Sequence, residues 1–317
     1  MILILVMGIG LRIGPVAAAA LALAVLAACG SSGDDGDTTI AATTGITADI
    51  AENIAGPGIE VEQIVPDGAS PHDFELSAQD RQRLEEADLI VANGSGLEAG
   101  IPLDDIDAPI WELTDHAGEP RALEEIEGEE HADEHAEEGG EHAGDPHVWM
   151  DPVRVAEALP SVTEAIGEVD PDGAAGYRER ARRYARRLRS LNREMAKQLE
   201  AVPADDRELV TSHDSLGYLA DRYGFDVVAT AFPATGPEAE TTAARLQEVE
   251  DAVRSSDVPA VFAQESDDPE ALQLVAQQTG VEVEYGLLVE SPAAAGSYEE
   301  MLRQDAELIA NSLRARR

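Results

Sequence analysis

Three histidines stand in three well-separated turns of this chain, and each turn joins a strand-like segment or a loop to the start of a helix. They are His72, His147 and His213. In open α/β sheets, ligands bind beyond the carboxyl ends of the strands, where turns of this kind meet. Three neutral imidazoles are good Zn²⁺ ligands, and a carboxylate would complete a tetrahedral set. A lone histidine in a turn is more often a surface residue, but three in equivalent positions favour a metal site.

The remaining histidines fall in one acidic stretch, at His116, His131, His135 and His142. From Glu119 to Asp145, acidic residues are interleaved with histidines, and aromatic residues are absent. Such a segment buries too little apolar surface to fold, so we expect a mobile loop. Its imidazoles and carboxylates would collect a borderline cation near a tighter site. The alternative is a solvated insertion without a role in binding.

The amino terminus has the pattern of an export signal. An apolar run from Val16 to Ala28 follows Arg12 and ends at Cys29, the single cysteine of the chain. The run is shorter than a membrane-spanning helix of about 20 residues, and its small residues before the cysteine are typical of a lipoprotein cleavage site. We therefore predict a signal peptide at residues 1–28 and a lipidated Cys29, with a flexible spacer over 29–38, that tether the protein outside the membrane. A chance cysteine after an apolar stretch is the alternative.

The composition is strongly acidic. The formal net charge is −42, and Lys197 is the single lysine beside many arginines. This charge argues against binding of nucleic acid or of anionic lipid surfaces, both of which attract positive charge. It suits a protein that binds cations, but an acidic surface adapted to salt would give the same balance. The charge by itself therefore does not decide the function.

Strand-like and helix-like segments alternate in both halves of the chain, which predicts an α/β fold of two lobes, each with a mainly parallel sheet flanked by helices. In the first half we predict strands at 39–44, 59–65 and 89–92, and helices at 46–55 and 77–87. In the second half we predict strands at 209–211, 227–230 and 261–263, a helix that ends at Tyr223, and a helix at 241–255. Ser212 is expected to cap the first of these helices, so that the His213 ring projects from the top of the sheet.

One long amphipathic helix is predicted between the lobes. Apolar or aromatic residues recur at spacings of three and four from Tyr177 to Leu199 in an otherwise Arg/Glu-rich segment. A helix over residues 174–201 would be roughly 40 Å long, enough to join the lobes rigidly. The domains would then be a lobe at 39–173, this helix, and a lobe at 202–317. The pattern is short for a coiled-coil dimer and has strands on both sides, so we expect a monomer.

Several segments resemble one family of known proteins. The motifs that carry the resemblance are VPDGASPHDFE at 65–75, ADLIVANGSGLE at 87–98, DPHVWMDP at 145–152, SHD at 212–214 and FAQES at 262–266. With these motifs the chain, from Ile40 to its carboxyl end, is similar to the metal-binding lipoproteins of ABC importers of the ZnuA/TroA type. The resemblance implies two lobes joined by a rigid helix, with one metal ion in the cleft between them. His72 and His147 would come from the first lobe and His213 from the second.

The resemblance also bears on the identity of the metal and on its fourth ligand. Manganese-binding members of the family carry a glutamate where His213 stands, so the histidine here favours Zn²⁺ over Mn²⁺. An acidic, histidine-rich loop before the second ligand is likewise typical of the zinc-binding members. Relatives have an aspartate in a segment near the last strand, and Glu290 is the best match to it in this chain. Glu290 would be the fourth ligand, and the alternatives are a bound water or a glutamate that faces solvent.

Two classes of function fit a zinc site of this kind. As a receptor, the chain would capture extracellular Zn²⁺ and dock on a membrane permease that is powered by a partner ATPase; a manganese receptor of the same importer class is the alternative. As a hydrolase, it would use an open metal position to activate a water. The lipoprotein signal, the lack of a His-Glu-x-x-His motif and the lack of a well-placed general base disfavour an enzyme. An adhesin that shares the fold is a remoter alternative.

Overall fold

The computed structural model describes residues 38–122, 144–232, 243–256, 258–264 and 269–314. The predicted signal peptide, Cys29 and the histidines at 131, 135 and 142 lie outside the described residues. Within the described ranges the chain forms two parallel sheets of four strands each, with helices around them. None of the described helices is long and apolar enough to cross a membrane.

The first sheet contains the strands β1 (Thr39–Ala42), β2 (Glu60–Gln63), β3 (Leu89–Ala92) and β4 (Ile110–Glu112), in the order β2-β1-β3-β4 with every pair parallel. Helix α1 (Gly45–Ala55) connects β1 to β2, and α2 (Ala78–Glu86) precedes β3. The predicted strands and helices of this half are confirmed, with narrower bounds for two of the strands. The sequence pattern does not predict β4, because Trp111 is its one buried residue and no apolar run marks it.

Both helices of this half begin at side-chain caps. Thr44 Oγ1 accepts a hydrogen bond from Thr47 N, and Ser77 Oγ accepts one from Asp80 N, each 3.2 Å long. These bonds satisfy backbone groups that have no partner inside the helix. The cap at Ser77 fixes the point where the loop that carries His72 returns to regular structure.

The second sheet contains β5 (Glu208–His213), β6 (Asp226–Phe232), β7 (Ala260–Gln264) and β8 (Glu282–Leu287), in the order β6-β5-β7-β8 with parallel pairs. The helices α5 (Gly217–Tyr223), α6 (Ala243–Ser256) and α7 (Pro269–Thr279) follow β5, β6 and β7. The predicted strands are confirmed and are longer than predicted, and α6 is confirmed over its described part. The sequence pattern does not predict strand β8, because Leu287 is its one buried residue and Glu282 and Glu284 interrupt any apolar run.

Ser212 does not cap α5, so this expectation from the sequence is wrong. Strand β5 continues through Ser212 and His213, and α5 begins only at Gly217, without a side-chain cap. Ser212 Oγ instead accepts a hydrogen bond from Gln264 N of β7 at 3.2 Å. Its hydroxyl links two strands, and His213 is the last residue of a strand.

Helix α4 (Ala174–Leu199) has 26 residues and follows α3 (Pro152–Val169), which begins after the N-cap Asp151. All positions of the predicted apolar face are buried: Tyr177, Ala181, Tyr184, Leu188, Leu191, Met195 and Leu199. Helix α4 packs against α1 and α3, and also against α8 (Tyr298–Arg314) at the end of the chain. At a rise of about 1.5 Å per residue it is roughly 39 Å long. It therefore contacts elements from both halves of the chain.

The core is continuous through both sheets. The described residues from Thr38 onward belong to one compact unit. One cluster of buried apolar side chains includes Ile40 of β1, Leu188 of α4 and Phe262 of β7. This shared packing holds the turns of one half against the turns of the other.

Candidate metal centre

His72, His147, His213 and Glu290 come together at one place, where each offers one ligand atom within 4.8 Å of the others. The Nε2 atom of His147 lies 3.3 Å from that of His72 and 3.2 Å from that of His213. The Oε1 atom of Glu290 lies 3.9 Å from His72 Nε2. The structure thus brings together the three turn histidines and the carboxylate that the sequence analysis selected.

The spacing matches the edges of a zinc tetrahedron. Bonds of about 2.0–2.1 Å from Zn²⁺ to imidazole nitrogen place ligand atoms about 3.3–3.4 Å apart at tetrahedral angles. The nitrogen–nitrogen distances of 3.2 and 3.3 Å are close to this value. Glu290 Oε1 is 3.9 Å from His72 Nε2, roughly half an ångström more than this spacing, and all four ligand atoms lie within 4.8 Å of one another. The donor set therefore fits a single tetrahedral ion.

Most of the candidate ligands lie beyond the carboxyl end of a strand. His72 lies in the loop between β2 and α2, His213 ends β5, and Glu290 follows the end of β8. His147 immediately precedes a 3-10 turn, Val148–Met150, that leads into α3. The expectation that ligands gather at the carboxyl edge of open α/β sheets describes three of the four positions.

Asp145 orients the His147 ring through its Nδ1 atom, on the side away from the cluster. The fully buried carboxylate has Oδ1 2.8 Å from His147 Nδ1, and the same atom accepts a hydrogen bond from His147 N at 2.9 Å. Its other oxygen accepts a hydrogen bond from Arg121 at 3.4 Å. A proton on Nδ1 leaves Nε2 unprotonated and directed at the other ligands. A carboxylate that accepts from the second nitrogen of a ligating histidine fixes its tautomer and raises its basicity.

Side chains from both halves of the chain hold the turn that carries His147. The Tyr218 hydroxyl of α5 donates to Asp145 O at 3.0 Å and accepts from Arg121 N at 2.9 Å. Asn93, directly after β3, donates from Nδ2 to Pro146 O at 3.0 Å. The position of the His147 ring is therefore determined by long-range contacts as well as by the local turn.

Burial keeps two of the imidazoles neutral. Burial, together with the neighbouring His147, lowers the pKa of His72 to about 3. The same causes, with a contribution from His72, lower the pKa of His213 well below its usual value. Burial raises the pKa of Asp145, but the hydrogen bonds from His147 and the nearby Arg121 outweigh it and lower that pKa overall. At neutral pH, His72 and His213 thus present free lone pairs, and Asp145 is a carboxylate.

His116 lies apart from this cluster. It is exposed, in a 3-10 turn after β4, and its ring is stacked on Trp111 with the centroids 5.4 Å apart. Its role in collecting metal stays a prediction. The same holds for His131, His135, His142 and Cys29, which lie outside the described residues.

Sequence reasoning did not assign a role to Asp145, Trp149 or Tyr218. The position of Asp145 is the one usable signal, because a carboxylate two residues before a histidine can fold back onto its ring. The two aromatic residues give no such signal, since large aromatic side chains near a helix start are equally typical of an ordinary core. Their contacts with the site depend on residues far away in the chain.

Two parallel sheets, with three histidines and a glutamate gathered from both halves of the chain, define a metal-binding protein of the two-lobe α/β class. A family model described as "Zinc-uptake complex component A periplasmic" (ZnuA) matches residues 40–312. The chain belongs to this family of metal-binding, substrate-binding proteins of ABC importers. This membership confirms the expectation from the sequence that the chain is a binding protein and not an enzyme.

Similar proteins with established names include lipoproteins that are named for manganese. The manganese ABC transporter substrate-binding lipoprotein PsaA of Streptococcus mitis is 28% identical over 305 residues, which cover 92% of this chain and 96% of its own. The manganese-binding lipoprotein MntA of Halalkalibacterium halodurans is 28% identical over 293 residues, which cover 90% and 91%. These names agree with the extracytoplasmic, membrane-anchored location expected from the amino terminus.

Solved structures share the fold. The periplasmic zinc-binding protein TroA from Treponema pallidum has a TM-score of 0.77 at 23% identity, covering 88% of this chain and 99% of that one. A Mn-bound periplasmic metal-binding protein from candidatus Liberibacter asiaticus has a TM-score of 0.73 at 23% identity, covering 87% and 99%. The likeness confirms the predicted fold class of parallel sheets flanked by helices.

Proposed function

We propose that this protein is an extracytoplasmic, high-affinity zinc-binding receptor that delivers Zn²⁺ to an ABC-type membrane permease. The observation that carries the proposal is the set of imidazole Nε2 atoms at tetrahedral spacing, 3.2 and 3.3 Å apart, with a glutamate beside them. Zinc is the cargo in this account. The site must therefore bind it tightly in one state and release it at the permease.

The ligand types support zinc over manganese. Zn²⁺ prefers four ligands at tetrahedral angles and binds imidazole well, whereas Mn²⁺ prefers oxygen ligands in octahedral geometry. Three nitrogens and one carboxylate suit the first ion. Manganese is the second candidate, because relatives that match most of this chain are named manganese-binding.

We assign His72, His147, His213 and Glu290 as the zinc ligands. His72 and His147 would belong to a first lobe at residues 39–173, and His213 and Glu290 to a second lobe at 202–317. The helix at 174–201 would join the lobes, and the packing of α4 on elements from both halves supports a stiff connection. A monomer suffices, since one chain provides the whole ligand set.

The amino-terminal residues supply the tether in this proposal. The signal peptide at 1–28 would be removed, and Cys29 would carry the lipid ahead of the spacer at 29–38. The partners would be the permease and the ATPase that powers it. The name of the relative PsaA, a substrate-binding lipoprotein of an ABC transporter, supports this arrangement.

The acidic stretch would act before the tight site. His131, His135 and His142, with His116 near its beginning, would hold Zn²⁺ loosely among carboxylates and pass it to the cluster. Imidazole and carboxylate groups are suitable zinc ligands without a fixed geometry. This collecting role is separate from the tight site proposed above, whose ligands are His72, His147, His213 and Glu290.

The test is a competitive titration of the metal-free protein, produced from the residue after Cys29, with Zn²⁺ and Mn²⁺. We expect one tight site per chain, with a preference for zinc. His213→Ala should weaken zinc binding by about 100-fold or more, because a quarter of the roughly 10–16 kcal/mol of a structural zinc site is about 3 kcal/mol.

His116→Ala is the matched control, because His116 is exposed and lies outside the cluster. It should leave the tight site intact. A preference for Mn²⁺ would contradict the choice of metal. Tight zinc binding that is indifferent to His213 would contradict the choice of site.

A further inference from the structure

A buried hydrogen bond joins the turn of one candidate ligand to the turn of another. Trp149 lies two residues after His147, and its indole N–H donates to Val289 O at 2.7 Å. Val289 immediately precedes Glu290. Trp149 is 1% exposed and Val289 is 0% exposed, so this bond is closed to solvent.

The same tryptophan contacts the His147 ring. The two ring centroids are 5.2 Å apart, and the ring planes are inclined by 63°. An edge-on arrangement of this kind is a preferred geometry for aromatic pairs. Trp149 therefore touches one candidate ligand with its ring and holds the residue next to another with its N–H.

Helix α8 makes hydrogen bonds to Trp149 and to the segment before Glu290. The Tyr298 hydroxyl, at the start of α8, donates to Trp149 O. Farther along α8, Asp305 accepts a hydrogen bond from Leu288 N at 2.8 Å. Both side chains are fully buried. Leu288 is thus held by Asp305 of α8, and Val289 is held by Trp149. Trp149 is in turn held by Tyr298 of α8.

Glu290 lies outside the strands of the described residues, so the contacts of its neighbours Leu288 and Val289 bear on where its backbone lies. It lies beyond the end of β8, in a turn closed by a hydrogen bond from Ser291 N to Leu288 O at 2.9 Å. Its Oε1 atom is 3.9 Å from His72 Nε2. Carboxylate oxygens bind zinc at about 2.0–2.2 Å, so a displacement of the turn by about 1 Å would remove this ligand.

We propose that Trp149 is a positioning residue of the metal site, and that its indole N–H holds the Val289 carbonyl so that Glu290 meets the ion bound by His147. The inference rests on the proposed function, since it requires that these side chains bind zinc. Trp149 itself does not touch the ion. It determines whether the carboxylate completes the set of ligands.

Trp149→Phe tests the proposal, because it removes the N–H donor and keeps an aromatic ring. We expect zinc binding to weaken by about 10–100-fold, the range found when the support of a metal ligand is removed. Trp111→Phe is the matched control. Trp111 is also buried, and its indole N–H donates to Ser161 Oγ at 2.9 Å, away from the cluster. This control should leave zinc binding unchanged.

A double-mutant cycle distinguishes positioning from a general loss of stability. Glu290→Gln should weaken zinc binding in the wild type but have little further effect when Trp149 is already phenylalanine, because the carboxylate is then out of place. The visible spectrum of bound Co²⁺ reports the coordination geometry independently. Trp149→Phe and Glu290→Gln should change that spectrum in the same way, whereas Trp111→Phe should not change it.

Additive effects of Trp149→Phe and Glu290→Gln, or equal behaviour of Trp149→Phe and Trp111→Phe, would overturn the positioning role while wild-type zinc binding stood. Failure of the wild type to bind zinc would instead refute the proposed function. If Trp149→Phe does not fold, Tyr298→Phe serves in its place, because it removes the hydroxyl that donates to Trp149 O. It should weaken zinc binding and be non-additive with Glu290→Gln, and additivity there would equally overturn the proposal.

Discussion

His72 and His147 face each other across 3.3 Å, yet the protein holds the two rings in different ways. His147 is fully buried, and Asp145 contacts both its backbone N–H and its ring Nδ1. His72 lies on the loop between β2 and α2, and no group in the described part of the chain hydrogen-bonds to its Nδ1. One ring is fixed through its second nitrogen, and the other is not.

The difference gives the two proposed histidine ligands different roles. A ring whose tautomer and direction are set by a carboxylate is ready for the ion before it arrives. A ring that makes no hydrogen bond at its second nitrogen can rotate without breaking such a bond. We interpret His147 as the ligand whose ring is held in place, and His72 as the ligand whose ring changes orientation when the ion binds and leaves. This division suits a receptor that must give up its ion.

We expect Asp145→Asn to have the largest effect on the difference between the His147 and His72 rings. An amide accepts a hydrogen bond more weakly than a carboxylate and does not raise the basicity of His147, so zinc affinity should fall by about 10–100-fold. Competition titration with a zinc chelator measures the change. Removing the carboxylate should make the fixed histidine resemble His72.

Asp221→Asn is the matched control for this substitution. Asp221 also pairs with Arg121, at 3.4 Å, but it is exposed. An exposed ion pair contributes little, so the control should bind zinc like the wild type. An equal loss in both variants would mean that the Arg121 contacts matter and that the orientation of His147 does not.

The burial of His72 should make the stability of the metal-free protein depend on pH. Burial and the nearby His147 lower the pKa of His72 to about 3, against about 6.5 in an unfolded chain. Between these values the unfolded state binds a proton that folded His72 does not, so this histidine makes the metal-free protein less stable as the pH falls. The slope approaches about 1.4 kcal/mol per pH unit for one such group.

Urea unfolding of the wild type and of His72→Gln, measured between neutral and mildly acidic pH, checks this slope. The variant should lose less stability as the pH falls. Burial also raises the pKa of Asp305 to about 7, which acts in the opposite direction, and comparing the two proteins cancels this shared contribution. Parallel curves for the two proteins would contradict a buried, neutral His72.

Local sequence patterns predicted the elements that carry the ligands. Apolar runs such as Leu89–Ala92 and the apolar face of α4 are confirmed, because burial on one face leaves a periodic pattern in the chain. The periodicity of apolar residues does not predict β8, where Glu282 and Glu284 occupy exposed and half-buried positions. A serine before a helix reads as a cap, so the bond between Ser212 and Gln264 of a neighbouring strand could not be anticipated.

The sequence likewise predicts some residues of the candidate site and not others. Residue type and turn position were enough to select His72, His147 and His213, and the resemblance to a family added Glu290. The carboxylate behind His147 was present in the motif but had no assigned role. The bond from Trp149 to Val289 joins residues 140 positions apart, and no local pattern encodes such a contact. The candidate ligands could therefore be selected from the sequence, whereas the groups that orient them require the fold.

X-ray absorption at the zinc edge of the zinc-loaded protein is the decisive test of a site with three imidazoles and one carboxylate, because it counts the bound atoms by type and distance. We expect four light-atom ligands at about 2.0–2.1 Å, with the multiple-scattering pattern of three imidazoles and one further oxygen. A five- or six-coordinate ion surrounded mainly by oxygen, with fewer than three imidazoles, would contradict it.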